Sequence, residues 1–466
     1  MQRSLGVAFE EMQGLDVSMP LLSEEVPSEC DRDSDDLSVK SWGPRNRHQS
    51  HRRARRTTRV VLIFIAVLFV LLLIYIPLFN NVHSRLVAIP GWGYNTSRNA
   101  ADYVMPGVDT ALIKPRSVCL SNFFLLIVVC SSVENFSARQ TIRETWGNTT
   151  EFNYPMFSKI HSHLSGQYLN ATELNFRLYS DFLNLGNKTN LTDSSQHQNL
   201  PVRLVFLVGK GDDTRINKNE TIARLKLESE QYDDMIQEGF YDTYNNLTIK
   251  SIMMLKWVVD NCQNRAKFLM KCDDDTFVNV PNLLHVLLGG TVPVYNATVE
   301  FYDPVSVNAL ASVNRLSRTH NLLTGYLFCM VKPIADTSSK WYSPVYMFKG
   351  DMYPNYLSGS GYLMSFDVIP KLYNISLNTS LLHLEDVYLT GICAEKIHLR
   401  RHHHPLFSFN NLSKKCSYKG VITQHYVKGD LMREVYVFTV NTSTHCPAPD
   451  KYFKMKRMHK RIKFCK

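Results

Sequence analysis

Among its ten cysteines the chain has no Cys-x-x-Cys pair, so a structural zinc site of the usual spacing has no support. No segment repeats at a fixed period, which excludes solenoid and propeller architectures. Residues 1–59 are polar, mixed in charge and without a sustained hydrophobic period, and they read as a mostly disordered tail. Charge is missing altogether from VVLIFIAVLFVLLLIYIPLF, the 20 residues from Val60 to Phe79. That run is long enough to cross a bilayer core as a helix. A cleavable signal would be shorter and nearer the N-terminus, and a core helix would rarely be apolar on every face. Glycosylation acceptors of the form Asn-x-Ser/Thr are absent before the run. Thirteen follow it, at Asn95, Asn135, Asn148, Asn170, Asn187, Asn190, Asn219, Asn246, Asn296, Asn374, Asn378, Asn411 and Asn441.

What is present orients this segment. Seven arginines lie between Arg45 and Arg59, and the next Lys or Arg after the run is Arg85. The positive-inside rule then makes residues 1–59 cytosolic and everything after about residue 80 lumenal or extracellular. The one-sided acceptor triplets agree. Nine cysteines share that oxidising side, where disulfides are permitted. The number is odd, so at least one thiol is free or pairs with another chain. The formal net charge of +10 resides partly in the orienting arginines and partly in the tail KYFKMKRMHKRIKFCK. On the lumenal side such a tail meets no nucleic acid.

With 44% apolar and 20% charged residues, the remaining length can bury a sizeable core. Residues 80–116 carry Gly, Pro and Asn and read as a stem, with a globular part over 117–466. FFLLIVVCSS and VRLVFLVGKG are short apolar runs expected as buried strands. SARQTIRETWG, ETIARLKLESEQYDDMIQEG and TIKSIMMLKWVVDNC are expected as helices, the last with Ile249, Ile252, Met253 and Trp257 on one face. AKFLM is a further strand. Apolar strands alternating with helices predict an α/β fold with a mostly parallel central sheet. Residues 150–200 and 290–320 read as surface insertions.

Directly after AKFLM comes KCDDDTFVNV. Three adjacent carboxylates are hard to ionise together unless something positive lies between them. At the C-terminal end of a parallel strand, where ligands of such sheets bind, they suit a hard divalent cation such as Mg²⁺ or Mn²⁺. A solvated acidic turn is the plainer alternative.

The motifs RQTIRETWG, EGFYDTYNNLTIK, KCDDDTFVNV, KWYSP, YPNYLSGSGYLMS and LEDVYLTGI stand in this order between Phe123 and Arg433. In that order the chain resembles the animal β1,3-glycosyltransferases, Golgi enzymes with a type II anchor that include galactosyl- and N-acetylglucosaminyltransferases. The resemblance implies a GT-A-type nucleotide-sugar-binding fold, a UDP-sugar donor and Mn²⁺ or Mg²⁺. It implies Asp275 as a metal ligand with His425, from VITQHYVKGDLM, as a second. Asp273 or Asp274 would hold sugar or ribose hydroxyls, and Arg139 and Arg143 would lie beside the uridine diphosphate. A surface ion pair or a helix-to-core anchor is the structural alternative for those arginines.

Gly359 and Gly361 offer close backbone approach to a ligand, or an ordinary turn. In LEDVYLTG the resemblance places the catalytic base at Asp386, with Glu385 beside it as a helix cap or acceptor-binding acid. Trp146 is expected in the core, and RHHHP (His402–His404) in a surface loop. The expected activity is inverting transfer of galactose from UDP-galactose to a glycan acceptor, on the Golgi membrane, with room for a homodimer. An N-acetylglucosaminyltransferase, a catalytically silent sugar-binding protein of the same fold and a metal-free glycosidase are the competing readings.

Overall fold

The computed structural model describes residues 47–84, 87–170, 174–183, 199–211, 218–301, 315–316, 318–409 and 414–449. Most of residues 1–59, the acceptor triplets at Asn187, Asn190 and Asn411, and the basic tail after residue 450 lie outside them. Two units are distinguished, Met1–Ile74 and Tyr75–Lys466. Helix α1 (Arg47–Ser84) contains a window, Arg59–Leu78, with a mean hydropathy of 3.2 and none of it buried. By length and composition it is able to cross a membrane.

The second unit is built on an eight-stranded sheet. Its strands are β1 (Ala111–Ile113), β2 (Phe123–Cys130), β3 (Val202–Lys210), β4 (Met235–Tyr241), β5 (Ala266–Asp273), β7 (Leu323–Phe328), β8 (Tyr356–Ser365) and β9 (His402–His403), in the order β1-β4-β3-β2-β5-β8-β7-β9. A small sheet joins β6 (Phe277–Val278), β10 (Phe407–Ser408) and β11 (Thr423–Gln424). Strands β4, β3, β2 and β5 run parallel, as the alternating pattern predicts. Beyond β5 the sheet turns antiparallel through β8 and β7, and β1 is antiparallel to β4. The sheet is therefore mixed, which corrects the expectation of a mostly parallel one. The antiparallel part comes from YPNYLSGSGYLMS, whose glycines suggested a turn but which forms the long strand β8.

Both faces of the sheet are covered, because alternate residues of the buried strands point to opposite sides. Ile127 and Val129 enter one apolar cluster with Trp146, while Leu126 and Val128 enter the other. Helix α2 (Phe136–Glu144) follows β2, α3 (Lys218–Tyr232) follows β3, and α4 (Leu247–Asn261) brings Ile249, Ile252, Met253 and Trp257 to the second cluster. The charged stretch after β3 splits sooner than its composition suggests. Its end, MIQEGFY, is β4.

Other boundaries move for the same reason: tertiary burial uses residues that look like connectors. Ile89, Trp92, Ala100 and Val104 belong to the second cluster, and β1 closes the sheet edge. The Lys256 ammonium donates to the carbonyls of Val104 and Val108 and to Thr110 Oγ1. Ile89, Trp92, Ala100, Val104 and the strand Ala111–Ile113 thus contribute packing and sheet pairing to the second unit. In the supposed insertions, Phe152, Phe157 and Ile160 and, further on, Val292, Val294 and Tyr295 are buried. The histidines of RHHHP form the edge strand β9 and its exit; His403 Nδ1 accepts from Leu327 N–H at 3.2 Å. Cys119–Cys262 and Cys416–Cys446 are disulfides, Cys329 is also disulfide-bonded, and Cys130, Cys272 and Cys393 are buried thiols.

A chain shortened to begin at residue 117 loses the Ile89, Trp92 and Val104 contacts and leaves Lys256 buried without those acceptors. Each large apolar side chain contributes about 1.5–3 kcal/mol, so this form is expected to be retained and aggregated. One beginning at residue 87 is expected to be secreted and to melt cooperatively. Secreted yield and thermal melting of the two forms check this; equal behaviour would contradict it.

Candidate active site

Strand β5 sets the site. Lys271 and Asp273 are two residues apart and so project from the same face of the strand. The Lys271 ammonium, in a side chain only 3% exposed, lies 2.7 Å from Asp273 Oδ1 and 3.5 Å from Glu385 Oε2 and donates to the Gly359 carbonyl at 2.6 Å. Burial opposes its charge, yet Asp273 and Glu385 hold its pKa well above that of an ordinary lysine. The positive charge that adjacent aspartates need is supplied, in part, from within the strand.

Strand β5 ends at Asp273, and the chain turns through Asp274 and Asp275 into β6. Antiparallel pairing sets Gln424 of β11 opposite Phe277 of β6, which carries the next residue, His425, to the turn. Val427 N–H also donates to the Asp275 carbonyl at 2.8 Å. His425 Nε2 lies 3.2 Å from Asp275 Oδ1. Asp273, Asp275 and His425 each offer one ligand atom within 4.8 Å of the others. Two carboxylates with one imidazole form a donor set that fits a divalent ion such as Mn²⁺. Although burial raises it, the His425 contact keeps the Asp275 carboxyl below the usual range.

Asp274 points elsewhere. Its Oδ2 accepts from Ser131 Oγ at 2.6 Å and Asn135 Nδ2 at 2.8 Å, in the loop joining β2 to α2. Burial raises its pKa, against both hydrogen bonds.

The second acidic centre begins a π-helical turn, Val387–Cys393, which Thr390 Oγ1 ties to β8 by accepting from Leu357 N–H. Such turns concentrate at functional sites. Asp386 precedes it, with Oδ1 accepting from Val387 N–H at 2.8 Å and Oδ2 from Gly359 N–H at 3.3 Å. Burial, and after it the charge of Glu385, pushes the Asp386 carboxyl up to about 7. Its side chain is nevertheless partly exposed. Glu385 is buried, receives the Tyr362 hydroxyl at 2.6 Å and faces Lys271. The two neighbours diverge, as adjacent residues must: Asp386 is partly exposed and Glu385 anchors the interior. Glu385, which the sequence left as a helix cap or an acceptor-binding acid, has the Tyr362 hydroxyl and the Lys271 ammonium as its partners.

Both glycines lie within β8. A Cβ on Gly359 would meet Glu385 Oε2 at 3.2 Å and Asp386 Oδ2 at 3.5 Å. What approaches this backbone is the protein's own acid pair. Gly361 lies inside the sheet opposite Cys272, with Thr423 at ordinary contact distance.

Arg139 and Arg143 share one face of α2, but both guanidinium groups are engaged by protein. Arg139, completely buried, pairs with Glu228 and donates to Ser131 Oγ and the Ser132 carbonyl. Arg143 bridges Glu228 and Asp234. They anchor helix to core, and Arg139 reaches the acid triplet only through Ser131. These contacts match the helix-to-core anchor that the sequence offered as the alternative for the two arginines.

Sequence reasoning missed Lys271, Ser131 and Asn135, although a lysine inside an apolar strand two residues before an acid was a visible signal. It also missed a shelf on the Asp386 side. Burial pushes the Tyr244 hydroxyl up to about 12, aided by the charges of Asp386 and Asp273. Lys340 Nζ stands 4.7 Å from the centroid of the half-exposed Trp341 ring and 5.7 Å from that of Tyr244.

Two acidic centres, one of them a cluster able to hold a metal ion, thus lie beyond the end of β5. Comparison with known proteins gives this site its class. Residues 187–303 and 300–405 match the Galactosyltransferase family. Beta-1,3-galactosyltransferase 1 of Mus musculus and that of Homo sapiens are each 30% identical over 328 residues, 70% of this chain and 77% of theirs. Lactosylceramide 1,3-N-acetyl-beta-D-glucosaminyltransferase A of Danio rerio is 31% identical over 326 residues, 69% of this chain and 67% of its own. The chain belongs to the β1,3-glycosyltransferase family and is a transferase of the hexosyltransferase type.

Replacing Lys271 by Met leaves Glu385 as a buried charge with only a hydroxyl partner. Removing one member of a buried ion pair typically costs about 3–5 kcal/mol, and Lys271→Met is expected to lower stability on that scale. The Lys271→Met/Glu385→Gln double variant should recover much of it. Denaturant unfolding of the three proteins checks this; an unaltered midpoint for the single variant would contradict the bracing role.

Proposed function

We propose that the protein is an inverting, metal-dependent β1,3-galactosyltransferase, transferring galactose from UDP-galactose to a hydroxyl of a glycan acceptor. The observation that carries this reading is the separation of one acidic site into two parts about the Lys271 ammonium. Asp273, Asp275 and His425 form a cluster suited to a cation, and Asp386 stands apart with a raised pKa. Asp275 and His425 would hold Mn²⁺ or Mg²⁺, with Asp273 directed to the metal or to donor hydroxyls. Bound there, a divalent ion supplies charge stabilisation for a departing diphosphate.

The chain's own residues do the rest. Asp386 accepts the acceptor proton as the hydroxyl oxygen attacks the anomeric carbon from the face opposite the nucleotide. That single displacement converts an α-linked donor into a β-linked product. Val387 N–H and Gly359 N–H fix the carboxylate, and Lys271 and Tyr362 fix Glu385 behind it. The half-exposed Trp341 and Tyr244 offer ring faces to the acceptor. The apolar window of α1 and the arginines before it support a type II anchor, with the Golgi membrane as the proposed site of action. A second reading, transfer of N-acetylglucosamine, is favoured by the Danio rerio relative; the mechanism is the same and only the space at sugar C2 differs.

Three measurements test the reading. Asp275→Asn should fold and be secreted but lose transfer at limiting Mn²⁺, and chelation of the wild type should abolish turnover reversibly. Full activity in either case would remove the metal. Asp386→Asn should lower turnover by about two to four orders of magnitude, as base removal does, while UDP binding is kept.

The sign of the pH dependence follows from the raised pKa. Asp386 is protonated below about 7 and able to accept a proton above it. The kcat/KM profile should therefore rise through an acid limb near 7, and Glu385→Gln, by removing a negative neighbour, should move that limb downward. A limb that stays in place assigns it to another group. Incubation with UDP-galactose and with UDP-N-acetylglucosamine, followed by linkage analysis, should give a β1,3 product formed faster from the galactose donor. An α-linked product would overturn the inverting mechanism.

A further inference from the structure

Among the glycosylation acceptors in the described residues, the one at Asn135-Phe136-Ser137 is placed unlike the others. Asn135 is exposed in the β2–α2 loop, yet its side-chain amide donates to Asp274 Oδ2 at 2.8 Å. The acceptor amides of Asn246 and Asn378 instead reach nearby backbone, the carbonyls of Tyr241 and Asn374. Among the described residues Asn135 is the acceptor asparagine bonded to the acid triplet.

Its partner in that task is rigid. Ser131 Oγ donates to the same Asp274 oxygen and accepts from Arg139 Nη1, while the Ser131 carbonyl accepts from Lys250 Nζ at 2.7 Å and its N–H donates to the Leu207 carbonyl. Asn135 is the solvent-facing half of the clamp. Nδ2 is also the atom to which an N-glycan is joined. A glycan there would replace one of its two hydrogens with a sugar ring and seat a bulky, hydrated chain beside Asp274.

We propose that Asn135 is a positioning residue of the donor site, and that glycan attachment at Asn135 and donor binding exclude one another. The sequon is then a point at which glycosylation during synthesis yields a molecule unable to take up a nucleotide diphosphate. This rests on the reading of the triplet as the donor and metal site.

The test uses the full-length protein in detergent. Glycan occupancy at Asn135 is measured by mass spectrometry after enzymatic deglycosylation in heavy-oxygen water. UDP binding at fixed Mn²⁺ is measured by calorimetry, which gives sites per chain as well as affinity. Ser137→Ala abolishes the sequon and keeps the amide; Ser137→Thr strengthens the sequon; Asn135→Ala removes both amide and sequon.

Ser137→Ala should show one UDP site per chain at wild-type affinity. In wild type and Ser137→Thr the number of sites should fall by the fraction occupied at Asn135. Asn135→Ala should keep one site but bind about tenfold more weakly, the scale of one lost hydrogen bond to a charged group. Full binding by chains glycosylated at Asn135, or unchanged affinity in Asn135→Ala, would overturn the inference alone. No UDP binding in Ser137→Ala would overturn the donor reading on which it rests.

Discussion

The ammonium of Lys271 is the charge on which the site depends. It lies between Asp273, at the end of β5, and Glu385, before the π-helical turn, and it holds the Gly359 carbonyl between them. Without it, the carboxylates of Asp273 and Glu385 would lack the opposite charge that close acids need. With it, Asp273 and Glu385 share one buried cation between them. Glu385 stays fixed as the buried neighbour that, after burial itself, raises Asp386. A single lysine thus gives two acids of similar sequence context different chemistry.

The sheet explains why this lysine can reach both sides. Strand β5 is where the parallel half of the sheet meets the antiparallel half: β2 pairs on one side, β8 on the other. Strand β8 brings Gly359 and Tyr362, and through Gly359 and Leu357 it fixes the turn that carries Asp386. On the far side, the short β6–β11 pairing delivers His425 to Asp275. Residues more than 100 positions apart in the chain meet here because three strand pairings converge at one end of β5.

Much of this was legible in advance. The apolar runs of β2, β3 and β5, the amphipathic α4, the buried Trp146 and the acid triplet at the end of β5 all had local signals, while His425 came from the family resemblance alone. What misled was equally physical. Gly359 and Gly361 looked like turn residues because glycine weakens a strand, yet here Gly359 makes room for Glu385 and Asp386. Arg139 and Arg143 had the correct helical spacing, but Glu228, 89 and 85 residues away, and Asp234, 91 residues from Arg143, engage their charges. Trp92 and Ile89 sit in a Gly- and Pro-containing stretch that reads as a linker and is buried.

The sequence alone determined the apolar span with its arginine flank, the alternation of strand and helix as far as β5, and which acids stand at motif positions. Those properties depend on neighbours along the chain: hydropathy over a window, period, and charge at fixed spacing. Tertiary structure decided which arginines are engaged, which of two adjacent acids is partly exposed, and that Lys271 lies between Asp273 and Glu385. Each of those depends on burial and on partners brought from distant strands, and a side chain's charge or proton is set by what surrounds it in space.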